Sequence, residues 1–166
     1  MLPVDNNLVF RPENINTSSE SGISIISRNQ EFLTSKASEV LLYEDDDLKW
    51  SEMEFSHRHF LGYLNNKPCF VACLKDSSPI SDDTILSPLR NLLGKIPEAL
   101  FTIFSRSLQI DNWFLSNQFC GSCGKAVKPH ETERAMICDC KSNLIYPTIS
   151  PCIIVLVTNG EELLLA

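Results

Sequence analysis

Short apolar blocks separated by polar connections run through the first hundred positions, which is the pattern of a strand-rich fold. Residues 23–26 and 40–43 are brief β-prone blocks. Residues 59–64 and 69–74 are longer, and only the short Asn-rich connection at 65–67 separates them. Two β-prone runs joined in this way predict a β-hairpin.

The pattern becomes helical between residues 97 and 115. Apolar side chains recur there with a period near that of an α-helix. Pro97 suits the first helical turn, and the carboxylate of Glu98 complements the positive end of the helix dipole. Strands followed by a helix predict an α+β fold. The apolar stripe of this helix comprises Leu100, Phe104, Leu108 and Leu115.

The last positions contain another apolar run. Residues 152–157 are strongly β-prone, Asn159-Gly160 favours a type I′ turn, and residues 163–165 begin a returning strand. A two-stranded aliphatic hairpin is marginal alone and exposes an unpaired edge. We therefore expect the first hairpin of a further, incomplete domain, and a homodimer formed through residues 152–165.

Composition and charge narrow the function classes. The chain has 166 residues and a formal charge of −7, which disfavours a general nucleic-acid binder because phosphate contacts need Lys and Arg. Residues 1–21 lack the basic segment and apolar core of a secretory signal, and residues 152–157 are too few to cross a bilayer. We expect a reducing, cytoplasmic location without membrane insertion.

Two cysteine pairs carry the strongest chemical signal. Cys120 and Cys123 enclose Gly-Ser, and Cys138 and Cys140 enclose a single Asp. Four thiolates on two tight turns can close a tetrahedron around Zn²⁺, and paired cysteines in a reducing compartment hold metal more often than disulfides. Reduced core cysteines or a disulfide remain the alternative interpretation. The other cysteines lie in apolar surroundings and are expected to be small core residues: Cys69, Cys73 and Cys152.

The segment from residue 119 to residue 155 resembles the zinc ribbon of the NADH pyrophosphatases, members of the Nudix hydrolase superfamily. The resemblance depends on both cysteine pairs, on Thr132-Glu133-Arg134-Ala135-Met136 and on Tyr146-Pro147-Thr-Ile-Ser-Pro151. Residues 59–64 and 88–90 resemble weaker landmarks of the family's N-terminal domain.

This resemblance implies an enzyme that cleaves the pyrophosphate of NADH or NAD⁺ and, in some members, removes an NAD cap from RNA. Water attacks phosphorus while Mg²⁺ or Mn²⁺ neutralises the diphosphate. The family holds those ions with the carboxylates of a Nudix box, and no segment of this sequence matches that pattern. We therefore expect an inactive chain, the N-terminal and zinc-ribbon portion of such an enzyme, whether engineered or naturally truncated.

The resemblance also implies roles for individual residues. Zinc would be bound by four thiolates, although the family usually places the last ligand where Lys141 stands here. His130 and Asp139 are the alternative donors for that position. The implied zinc ligands are Cys120, Cys123, Cys138 and Cys140.

Four further residues match positions that contact the substrate in the family: Glu133, Tyr146, Arg90 and, by a poorer alignment, Lys36. A guanidinium can bind a phosphate with two hydrogen bonds, and a phenol can stack on a nucleotide or hydrogen-bond to it. Structural roles are the alternative. Arg90 could pair with an acidic neighbour, Glu133 could brace the ribbon, and Tyr146 could pack in the linker.

The expected organisation is an N-terminal Nudix-associated domain at 1–96, a linking helix at 97–117, a zinc ribbon at 118–150 and the start of a truncated Nudix domain at 151–166. The partner of the full-length parent would be an NAD(H)-type dinucleotide. A stand-alone zinc-ribbon adaptor that binds protein or nucleic acid is the alternative function. A redox protein using Cys138 and Cys140 is a third possibility, which needs an exposed thiol of low pKa.

Overall fold

The computed structural model describes residues 8–36, 42–46, 48, 52–148, 152–153 and 155–164. It has an α+β fold in which a mixed seven-stranded sheet carries one long helix, as the sequence predicts. The strands of this sheet run in the order β1-β5-β6-β2-β3-β7, with β4 paired to β2. Their bounds are β1 Phe10–Pro12, β2 Ile23–Arg28, β3 Glu31–Ser35, β4 Tyr43–Glu44, β5 Phe55–Leu64, β6 Lys67–Leu74 and β7 Thr84–Pro88.

The predicted hairpin is the longest pairing in the sheet. Strands β5 and β6 are antiparallel, with Leu64 opposite Lys67. The two residues between them, Asn65 and Asn66, have φ values of 47° and 67°, as a type I′ turn requires at both central positions. Strand β2 then lies parallel to β6, with Ile23 opposite Cys69. The blocks predicted at 23–26, 59–64 and 69–74 are therefore in neighbouring strands. Of the block predicted at 40–43, residues 40 and 41 lie outside the described residues, and Tyr43 begins β4.

Helix α1, Glu98–Ser116, packs across one face of the sheet. Phe104 is fully buried and meets the ring of Phe32 edge-on, with ring centroids 4.5 Å apart. A short 3₁₀ helix, Leu89–Leu92, connects β7 to the segment that leads into α1. The opposite face of the sheet has its own smaller apolar cluster, built on Ile26, Leu33, Leu48, Ala72 and Leu74.

A second, three-stranded sheet follows the helix. Its strands run in the order β10-β9-β8 and are all antiparallel. Met136 lies in this sheet yet belongs to the main core cluster beside α1, so the two sheets share apolar contacts. Among the described residues, the structure has no helix of sufficient length and apolarity to span a membrane. The bounds are β8 Lys128–Pro129, β9 Met136–Cys138 and β10 Lys141–Ile145.

The C-terminal hairpin differs from the prediction. Strands β11, Thr158–Asn159, and β12, Glu162–Leu163, pair around Gly160-Glu161, one residue later than the predicted turn. The predicted strand at 152–157 is wrong for residues 152, 153 and 155–157, which are not in a strand. Cys152 is exposed, so its expected core position is also wrong, while Cys69 and Cys73 are buried as expected. A β-prone run forms a strand only where a partner strand supplies hydrogen bonds.

Candidate metal centre and the surrounding residues

The first cysteine pair lies on a tight turn just beyond α1. The bridge between Phe119 and Ala126 closes the loop that contains it. Gly124 has a φ of 71° and donates its backbone N–H to the carbonyl of Cys120 over 2.8 Å. Residues with a Cβ rarely adopt this conformation, which explains the glycine at that position. The turn directs the backbone N–H of Ser122 towards the Cys120 sulfur, 3.4 Å away.

The second pair approaches the first from the β9–β10 connection. The backbone N–H of Cys140 points to the Cys138 sulfur over 3.5 Å, which repeats the arrangement of the first turn. The Cys120 and Cys140 sulfurs are 3.6 Å apart, and the Cys123 and Cys138 sulfurs are 3.5 Å apart. All four sulfur atoms lie within 4.8 Å of one another, and every cysteine of the chain is free of disulfides.

These distances fit a tetrahedral zinc site. A Zn–S bond of about 2.3 Å places tetrahedral sulfur ligands about 3.8 Å apart. The observed spacings are close to that value and far longer than the roughly 2.05 Å of a disulfide bond. The cluster is therefore compatible with zinc, and four protein ligands would leave no position for a catalytic water.

The charges of the sulfurs also favour a cation at this centre. Backbone N–H groups of Ser122 and Cys123 lower the pKa of Cys120 to about 6. Hydrogen bonds to the neighbouring thiols, that of Cys123 first, raise the pKa of Cys140 to about 12. One sulfur is thus stabilised as a thiolate, while a second thiolate beside it is disfavoured. A divalent cation removes this conflict because it neutralises charge on all the sulfurs together.

The structure brings Cys140, rather than either alternative donor, into the cluster. Among the described residues, the group of potential ligands at this centre consists of the four cysteines. Asp139 instead forms an ion pair with Lys128, with 2.9 Å between Nζ and Oδ1. The His130 Nδ1 atom lies 3.4 Å from the backbone nitrogen of Thr132. The one-residue spacing of the second cysteine pair therefore still permits convergence.

Two of the residues matched to substrate positions contact each other. The Tyr146 hydroxyl donates a hydrogen bond to the Glu133 carboxylate, and this contact raises the pKa of Tyr146. Both side chains are exposed, with Tyr146 at 50%. Glu133 also borders a cavity of about 340 Å³ between the ribbon, α1 and β5. An exposed phenol and carboxylate held together can present a hydrogen-bonding and stacking surface to a ligand.

The other two matched residues lie elsewhere in the chain. Arg90 is exposed on the 3₁₀ helix that follows β7, and Lys36 is exposed at the end of β3. Strands β3 and β7 lie three and four strand intervals from β5, which corresponds to roughly 14 and 19 Å. A single chain therefore does not bring Arg90 and Lys36 together with Glu133 and Tyr146.

Arg134 joins the ribbon to the main sheet, a role that sequence reasoning missed. Its guanidinium donates hydrogen bonds to the main-chain oxygens of Phe60 and Glu13 over 2.7 and 2.8 Å. Arg106 of α1 donates to the Leu61 oxygen over 2.9 Å. Burial, followed by the charge of Arg106, lowers the pKa of Arg134 to about 10. Acceptors on the main chain leave no signature in the sequence, so the motif alone could not identify this contact.

A second missed group consists of His57 on β5, Cys73 on β6 and Asp111 on α1. Burial raises the pKa of Cys73 to about 12. Burial alone would raise the pKa of Asp111, but hydrogen bonds from His57 and Cys73 hold it below its usual value. The available signals were a His-x-His repeat at 57–59, which places both rings on one face of a strand, and an acidic residue in the apolar stripe of α1.

The fold and this centre define a class: an α+β module, with a mixed sheet and one covering helix, that carries a four-cysteine ribbon. Residues 20–113 match the family described as NADH pyrophosphatase-like rudimentary NUDIX domain. The match covers more than half of the chain and includes the sheet from β2 onwards and most of α1. The chain belongs to the NADH pyrophosphatase family of Nudix proteins.

Individual relatives extend the similarity into the ribbon. The chain is 30% identical over 152 residues to the NAD-capped RNA hydrolase NudC of Pseudomonas syringae pv. tomato, an alignment that covers 92% of this chain and 54% of that protein. It is 32% identical over 145 residues to the protein of that name from Stutzerimonas stutzeri, covering 87% and 51%. For that of Pseudomonas putida strain W619 the identity is 33% over 125 residues, covering 75% and 45%. The chain thus spans about half the length of these relatives.

Proposed function

We propose that this chain is the N-terminal and zinc-ribbon portion of a Nudix hydrolase that cleaves the pyrophosphate of NADH or NAD⁺, or of NAD-capped RNA. The observation that carries the proposal is the contact between Tyr146 and Glu133 on a four-cysteine ribbon in a member of this family. The names of the relatives support NAD-capped RNA as a substrate of the full-length parent.

In this proposal the ribbon metal has a structural role. Zn²⁺ bound by Cys120, Cys123, Cys138 and Cys140 supplies the cross-link that orders the two cysteine turns, because a closed four-ligand site offers no position to a substrate. Tyr146, which directly follows β10, then lies against Glu133. Arg90 and Lys36 would serve the same dinucleotide from the far edge of the sheet, which in a homodimer can belong to a second copy of the chain.

Binding of NAD⁺ to the zinc-loaded chain tests this site directly. We expect isothermal titration to detect the dinucleotide and Tyr146→Phe to weaken it about 5- to 10-fold, the equivalent of one lost hydrogen bond. Tyr43→Phe is the matched control, because Tyr43 lies in the cluster on the opposite face of the sheet. Equal affinities of the parent and the Tyr146 variant would contradict the assigned role.

The hydrolytic step itself requires Mg²⁺ or Mn²⁺ on Nudix-box carboxylates, and this sequence contains no match to that box. We therefore expect NADH to be stable in the presence of this chain and either ion. NADH hydrolysis above background would refute our proposal that the hydrolytic step depends on a Nudix box outside this sequence. Binding of uncapped RNA with unchanged affinity in Tyr146→Phe would instead favour the adaptor function.

We also propose that the protein is a cytoplasmic homodimer. Seven free cysteines support a reducing location. The exposed apolar side chains of Ile153, Val155, Leu156 and Leu164 supply a surface that a second copy can cover. Light scattering coupled to size-exclusion chromatography should give twice the chain mass. A monomer at high concentration would contradict the dimer.

A further inference from the structure

The group formed by His57, Cys73 and Asp111 lies between the sheet and α1, apart from the ribbon cluster. His57 and Cys73 are directly opposite each other on β5 and β6, and Asp111 reaches them from the helix. The Asp111 Oδ1 atom is 2.5 Å from His57 Nε2 and 3.3 Å from Cys73 Sγ. The three ligand atoms lie within 4.8 Å of one another, and the side chains of His57 and Asp111 are 15% and 8% exposed.

The hydrogen bonds of Ser56 orient the His57 ring. The Ser56 hydroxyl donates to the main-chain oxygen of Cys73 over 3.0 Å. Its proton is therefore in use, so Ser56 Oγ, 3.0 Å from His57 Nδ1, acts as an acceptor from Nδ1–H. This leaves Nε2 facing the Asp111 carboxylate with either a second proton or a cation between them. Fixing Nδ1–H by an outer hydrogen bond is how proteins usually orient a metal-binding histidine.

Space for an additional ligand exists next to the group. A cavity of about 420 Å³ is bordered by all three side chains and by the polar residues Asn29 and Gln30. The Cys73 sulfur also receives a hydrogen bond from Ser27 Oγ over 3.2 Å, which helps to hold it in place. Three protein donors with an adjacent opening are the arrangement of a zinc site that keeps one coordination position free.

We propose that His57, Cys73 and Asp111 bind a second divalent transition-metal ion, Zn²⁺, with its fourth position open to this cavity. One nitrogen, one sulfur and one oxygen donor match the preferences of zinc, and a thiolate with a carboxylate balances its charge of +2. Binding releases the proton of Cys73 and the one shared by His57 and Asp111. Tetrahedral geometry requires Nε2 and Oδ1 to separate from 2.5 Å to about 3.3 Å, a shift within reach of a carboxylate rotation.

Metal stoichiometry of the full chain tests this site. After equilibrium dialysis against micromolar Zn²⁺, we expect two ions per chain in the parent and one in His57→Gln, whose amide preserves a hydrogen-bonding side chain. His130→Gln is the matched control and should retain two ions, because His130 lies outside both groups of ligands. One ion in the parent, or two ions in His57→Gln, would overturn the proposal.

Co²⁺ replacement gives a second measurement, which starts from the parent chain. The ribbon supplies four Co–S bonds and the second site one more, so sulfur-to-cobalt absorption should reach 1.25 times the four-thiolate value when both sites are filled. Cys73→Ser should remove this increment while the four-thiolate spectrum persists. Saturation of the parent at the four-thiolate value would show that Cys73 binds no metal and would overturn the inference.

Discussion

Loss of the ribbon metal should unfold the ribbon while the main sheet persists. We choose Cys123→Ser because Cys123 is exposed, so the substitution removes one proposed zinc ligand without opening a cavity in the core. Cys152→Ser is its matched control, an exposed thiol outside the cluster. Comparing the two variants therefore separates the effect of losing a cluster thiol from the effect of replacing sulfur with oxygen.

The magnitude follows from how little apolar surface the ribbon buries. Among its described residues, the buried apolar side chains besides the cluster cysteines are Ala135 and Met136. Their burial contributes roughly 2–4 kcal/mol, whereas a structural zinc site contributes about 10–16 kcal/mol of apparent binding energy. The metal thus outweighs the apolar contribution several-fold. In contrast, the main sheet and α1 bury a large cluster that includes Ile25, Phe32 and Phe104.

Hydrogen exchange measured by mass spectrometry separates the two regions. In Cys123→Ser, peptides from 118–145 should lose protection and bound zinc should fall by one ion per chain, while peptides from β2 and β6 remain protected. Zinc chelation of the parent should cause the same loss of protection in peptides from 118–145, and Cys152→Ser should behave as the parent does. Unchanged protection of 118–145 in Cys123→Ser, with full zinc content, would refute the reasoning.

Three further substitutions test packing and charge. Arg134→Met should lower the unfolding free energy by about 2–4 kcal/mol in denaturant titrations because part-buried main-chain oxygens lose a charged donor. Arg11→Met, at an exposed ion pair, should cost about 0–0.5 kcal/mol, and equal effects of the two substitutions would contradict the proposed contact between ribbon and sheet. Gly62→Ala places a Cβ 2.2 Å from the Arg11 main-chain oxygen at a φ of 145°. The substitution should therefore lower the unfolding free energy by about 2–4 kcal/mol and expose β1 to hydrogen exchange. An unchanged melting temperature would argue against the register in which β1 pairs with β5. Burial raises the pKa of Cys69 from 9.0 to about 12, so the stability contributed by its protonated thiol is complete below pH 9 and is lost as the pH rises towards 12. Alkylation of the native chain at neutral pH should therefore modify Cys152 and spare Cys69, and the decline in stability above pH 9 should be shallower in Cys69→Ala.

The elements that sequence reasoning located are those specified by neighbouring residues. The β5–β6 hairpin depends on two asparagines that tolerate positive φ, and α1 depends on a stripe with a helical period. The run at 152–157 is also strongly β-prone, yet its described residues form no strand. Propensity alone could not reveal that, because pairing depends on residues distant in sequence. The parallel insertion of β2 beside β6 is non-local in the same way.

The candidate sites show the same difference between local and long-range contacts. Each cysteine pair is a local turn, so its spacing predicted the cluster, and the structure brings Cys140 into it. The group at His57 combines two strands and a helix, and its members are separated by up to 54 positions in the sequence. Such a group becomes visible only when the sheet order is known. The ribbon contact of Arg134 depends on main-chain oxygens, which every residue type possesses.

The parallel pairing of β2 with β6 has a consequence for how the chain folds. Ser27 and Cys73, which face each other in this pair, are 46 positions apart, so joining them requires closing a long loop. The β5–β6 hairpin closes around two residues and can assemble within microseconds. We therefore expect the hairpin to form first and β2 to dock onto it later, in a step slow enough to limit the rate at which the native state is reached.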